Sequence, residues 1–137
     1  MDEKSTAKKG IKEIQLPRTF LNFIIRVYDA KVEKADFLII RFGNQVHRIE
    51  IAELSKGIKS ILLESSQEPE ELALSAQSIE FILKTKKKLF KVEEELAKTA
   101  LNVSEVMKLQ EFKRELNLNK DKVQVHVQYL LTTRQQL

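Results

Sequence analysis

Residues 68–101, EPEELALSAQSIEFILKTKKKLFKVEEELAKTAL, decide how the whole chain is read. On a helical wheel of about 100° per residue, Leu72, Ile79, Leu83 and Phe90 form one stripe. Lys84, Lys87, Lys91 and Lys98 lie opposite. Glu80 to Lys84 and Glu94 to Lys98 stand at i, i+4 in the order that favours a helix. Ser65 and Glu68 have capping-box spacing just ahead, and Pro69 suits a first turn. The spacing predicts a helix from about Glu68 to Leu101.

Within it, KTKKKLFK (residues 84–91) holds five lysines in eight residues. Taken alone, such a run suggests phosphate contacts, because each neutralised phosphate releases counterions. Yet residues 68–101 contain six lysines and seven glutamates, so the stretch is slightly acidic and the lysines read as a solvated helix face. Phe90 points to the apolar side, as core rather than as a stacking platform. A nucleic-acid surface is the alternative, built from Lys84, Lys87, Lys88 and Lys91 with Arg41, Arg48 and Lys108. The net charge of +4 permits weak nucleic-acid affinity without requiring it.

A second apolar stripe runs through Leu74, Phe81 and Val92, and a helix apolar over half its circumference is central or shared with another chain. Lys86 and Glu93, seven residues apart within the main stripe, would need partners. In a dimer, Lys86 of one copy would meet Glu93 of the other. The expected interface is Leu74, Phe81, Lys86, Phe90, Val92 and Glu93, and the expected function is a non-catalytic assembly protein. A homodimer is the simplest form, with another protein as the other possible partner.

Outward from this stretch, Ile11–Leu16 reads as a short strand. Residues 18–30 read as an amphipathic helix, because a strand would mix Asn22 and Arg26 with Phe20, Ile24 and Tyr28 on one face. FLIIRFGNQVHRIEI (residues 37–51) is a hairpin around Gly43-Asn44, with a type II′ turn. Residues 53–64 turn helical, and Asn102 with Glu105 opens a last helix to about Leu116. A polar turn at 117–121 leads to a half-buried strand through Val123, Val125, Val127 and Tyr129. The order predicts an α+β fold: a short antiparallel sheet, split β-α-β-like, with long helices inserted before the closing strand. One domain spans residues 11–131, with a flexible leader at 1–10 and a frayed tail at 132–137.

Some chemistry is hard to place here. There is no cysteine for a disulfide or thiolate site. His47 and His126 lack neighbouring ligands at metal spacing, so no metal or cofactor is expected. No glycine-rich phosphate loop or nucleophile elbow occurs, and no catalytic residue is named. Apolar runs are too short to span a bilayer; a cytoplasmic protein without a membrane partner is expected. KGIKEIQLPRTFLNFIIRV resembles the opening of a ribbon-helix-helix protein, and EELAKTALNVSEVMKL resembles a helix-turn-helix. Neither motif is completed.

Overall fold

Leu21, Phe23, Ile25 and Val27 are buried at every second position, and residues 18–31 are a strand. The computed structural model describes residues 18–54, 56–75, 77–87, 92–108 and 111–134. The short strand expected at residues 11–16 lies outside them. Asn22 and Arg26, the residues that argued for a helix, are bonded on the strand's other face. Asn22 Nδ2 donates to Thr132 Oγ1 at 2.8 Å, its Oδ1 accepts the Ser65 N–H at 3.3 Å, and Arg26 donates to Gln128 at 2.5 Å. A spacing of four is an even number, so residues at i and i+4 share a strand face as readily as a helix face.

The same ambiguity undoes the long helices. The order is β1 (Arg18–Lys31), β2 (Phe37–Phe42), β3 (Gln45–Glu50), α1 (Ile51–Leu54), β4 (Lys59–Glu64) and α2 (Pro69–Leu74). There follow β5 (Ser78–Lys87), β6 (Val92–Asn102), α3 (Val103–Met107), β7 (Glu111–Leu118) and β8 (Asp121–Arg134). Strands hold 68% of the described residues and helices 14%, with no helix of seven residues, which overturns the α+β reading. The expected 68–101 helix is one short helix and two paired strands. Ile79, Phe81 and Leu83 point inward from β5 and are fully buried. Ile79, β-branched, and Phe81, aromatic, are residue types that fit a pleated surface. The helix expected at 53–64 stops after one turn; Gly57, at φ 148, leads the chain into β4. The helix from Asn102 does start there, with the Asn102 side chain accepting the Ser104 N–H at 2.8 Å, but it lasts five residues before β7. Glu68, not Ser65, caps α2, in a reciprocal box with Glu71.

Two antiparallel four-stranded sheets result, in the orders β4-β1-β8-β7 and β3-β2-β5-β6. Inward side chains of both sheets form the core, where Phe23 and Phe42 meet edge to face, centroids 5.8 Å apart. The hairpin forms as read: β2 pairs with β3 from Phe37↔Glu50 to Phe42↔Gln45. Gly43 takes φ 58 and Asn44 is not left-handed, as a type II′ turn requires. The closing strand also forms, within β8. At one corner the Gln45 side chain joins the two sheets, donating to the Glu64 carbonyl and accepting the Glu64 N–H at 2.9 Å.

Candidate functional site

The outward face of the second sheet collects much of the charge singled out in the sequence. The register sets Arg41 opposite Glu80, and Arg41 and Lys98 reach that carboxylate at 2.6 and 2.9 Å. Their hydrogen bonds, Lys98 first and Arg41 second, hold the Glu80 carboxyl below its usual range. Arg48 reaches Glu93 at 2.5 Å while lying 3.6 Å above the Phe37 ring, and Lys84 stands 4.0 Å from the same carboxylate. Between the two groups, Ile39 and Ile82 face each other, only 6% and 2% exposed although they point outward. Long Arg and Lys stems laid over apolar surface, with their heads paired above, account for that burial.

This arrangement sorts the expected contacts. Arg41, Arg48 and Lys84 are each within ion-pair reach of a carboxylate of their own chain. Lys87 ends β5, while Lys88, Lys91 and Phe90 lie outside the described residues. Lys86 and Glu93, expected to meet across a dimer, are register partners on β5 and β6 of one chain. Phe81 is in the core with no exposure, and Leu74 is 89% exposed at the end of α2. Val92 sits at the other end of the sandwich from Leu74. The two stripes of the supposed helix are thus dispersed over the core and both ends.

That other end gathers the β1–β2 and β3–β4 connections, the facing ends of β5 and β6, and the β7–β8 turn. Asp36 ties it together. Its Oδ2 accepts the Thr85 hydroxyl at 2.9 Å and the Lys86 N–H at 2.8 Å, while its own N–H donates to the Lys84 carbonyl at 2.9 Å. Its carbonyl accepts the Ile51 N–H at 2.9 Å, anchoring α1. On this braced frame Ile58 is 61% exposed and Val92 52%. Exposed Lys34, Lys56, Lys86 and Lys120 stand on the same set of connections. Shallow grooves of about 420 and 340 Å³ open here, the first between Leu96, Leu118 and Asn119, the second between Phe37, Glu50 and Lys86. Glu33, Lys34, Lys120 and Asp121 also line the first. The opposite end carries Glu64, Glu68, Glu70, Glu71 and Glu105, with Arg18 3.2 Å from Glu68 and 3.5 Å from Glu71. Ile58 escaped the sequence reading, which took residues 53–64 as helical. The signal was there in Lys56-Gly57-Ile58-Lys59, an isolated apolar residue beside a glycine and between lysines.

Eight antiparallel strands in two such sheets can be set against known proteins. Among solved structures the chain is similar to a fragment of Extended-Synaptotagmin 2 made of two tandem C2 domains, at 19% identity and TM-score 0.53, over 85% of this chain and 43% of that one. The fold is a C2-like β-sandwich. The same pair of domains with calcium bound matches at 17% and 0.51, over 85% and 47%. CC2D1B, described by its part in the mitotic reformation of the nuclear envelope, matches at 8% and 0.54, over 90% and 67%. The chain spans less than half the length of the first two, and identities this low speak for the C2-like fold alone. No family model and no curated protein sequence matches the chain. Among the described residues no helix is long and apolar enough to cross a membrane.

Proposed function

We propose that this chain is a non-catalytic binding module that docks its Ile58–Val92 end on an anionic lipid surface in the cytoplasm. The observation that carries the reading is the pairing of exposed aliphatic tips with exposed lysines on one braced end. A peripheral protein binds a bilayer by sinking a small apolar area into the interface and by attracting anionic headgroups. Each lysine near such a surface contributes about 1 kcal/mol. The outward face of the second sheet supports nucleic-acid binding less well, because Arg41, Arg48, Lys84 and Lys98 already face carboxylates. Docking on lipid departs from the expectation of no membrane partner, which rested on apolar runs too short to span a bilayer and left docking on its surface unconsidered.

The test is flotation with phosphatidylcholine vesicles, with and without phosphatidylserine, using the wild type and Ile58→Asp. The wild type should float with the anionic vesicles and stay behind with the neutral ones. The variant should lose most of its binding while keeping its Tm. No flotation with anionic vesicles at low salt would sink the proposal.

A further inference from the structure

A calcium-bound structural neighbour raises the question of whether the Ile58–Val92 end takes that ion. Calcium requires about six to eight oxygen ligands, mostly carboxylates converging on one point. Several carboxylates at this end are engaged elsewhere. Asp36 Oδ2 holds the Thr85 hydroxyl and the Lys86 N–H. Glu53 pairs with Lys59 at 3.5 Å, and Glu93 with Arg48 and Lys84. Asp121 Oδ1 accepts the Glu33 N–H at 3.2 Å. Glu94 and Glu95 are consecutive on β6, so their side chains leave opposite faces of the strand. The sequence of residues 88–91, KLFK, contains no carboxylate. Among the described residues no three His, Asp or Glu side chains stand at metal-ligand spacing. The residues present do not fit calcium.

What this end has instead is a set of exposed lysines, standing among Glu33, Glu94 and Glu95. Lys34, Lys56, Lys86 and Lys120 are exposed on three separate connections and on β5, and Asp36 holds the backbone of Lys86 in place. We infer that docking on anionic lipid is independent of calcium, the chain's own lysines supplying the charge that a bound ion would otherwise bring. The inference rests on the docking proposed above and concerns its regulation. Such a module is constitutive: ionic strength and lipid composition govern it, and a divalent pulse does not.

Two measurements decide it. In the first, wild-type chain is mixed with phosphatidylcholine–phosphatidylserine vesicles in EGTA, in calcium, or in magnesium at equal concentration. The bound fraction should be the same in the two divalent salts and no higher than in EGTA. It should fall several-fold as monovalent salt rises. Lys86→Glu should lower it several-fold in EGTA and in calcium alike. In the second, calcium chloride is titrated into the chain without lipid, followed by calorimetry and by Tm. No binding heat and no shift in Tm are expected. Binding heat, a calcium-specific rise in Tm, or vesicle binding that needs calcium would overturn the inference. Absence of vesicle binding in every buffer would instead sink the docking, which the calorimetric arm separates from calcium affinity.

Discussion

Phe81 and Leu74, both placed in one stripe by a helical wheel, have opposite fates on the strand and short helix that hold them. Phe81 is wholly buried between the sheets, so Phe81→Glu should unfold the domain, and Phe81→Ala should cost about 3–5 kcal/mol in a denaturant titration. Leu74→Glu, at an exposed site, should change stability by no more than about 0.5 kcal/mol. Glu80 offers a test by pH. Its folded carboxyl is held below the ordinary value of 4.5 by Lys98 and Arg41. A depressed carboxylate contributes stability above its unfolded pKa and loses it as pH falls through the folded one. The Tm of the wild type should therefore exceed that of Glu80→Gln near neutrality, with the gap closing as pH drops below 4.5. A gap that persists in acid would show that something other than the ion pairs is lost. Gly43→Val, forced to keep φ 58, should cost about 1–3 kcal/mol.

Elements were legible where the period of two stood alone. The hairpin around Gly43-Asn44 and the Val123–Tyr129 alternation were read from the sequence and formed. Where long apolar and charged residues recurred at spacings of four, both periods fitted, and local i, i+4 pairs favoured the helix. Glu80 meets Lys98 across the β5–β6 ladder, a contact that depends on pairing rather than on distance along the chain. The buried outward isoleucines hid the alternation further, since Ile82 beside Phe81 and Leu83 looks like a continuous apolar run. The Ile58–Val92 end was nearly illegible, because Ile58 and Val92 come to the same end only once the strands are ordered. At this scale Gln45 is the sharpest probe. Its side chain continues the hydrogen bonding between the edges of β3 and β4. Gln45→Ala should cost about 1–3 kcal/mol and speed hydrogen exchange at the Glu64 amide. Unchanged exchange there would mean that the corner is held by other contacts.

For the molecule as a whole, the decisive pairing is β1 with β8, from Arg18↔Arg134 to Lys31↔Lys122. Partners so far apart in sequence must find one another against loop-closure entropy, so refolding should fall in the slow, millisecond-to-second class of β-sandwiches. Stopped-flow fluorescence of a reporter placed at a core position would measure it; microsecond folding would contradict the topology. Residues 121–134 occupy the middle of their sheet, between β1 and β7, so removing them should abolish the fold rather than trim it.

That pairing also sets how the domain answers to force. Because β1 and β8 are antiparallel, residues 18 and 134 lie side by side at one end. Tension applied through those two positions meets the ladder one rung at a time and peels it open like a zip, at low load. Handles at residues 18 and 121 would pull along the strands and load every rung together. The same sandwich is mechanically soft along the line of its own chain and stiff along its long axis.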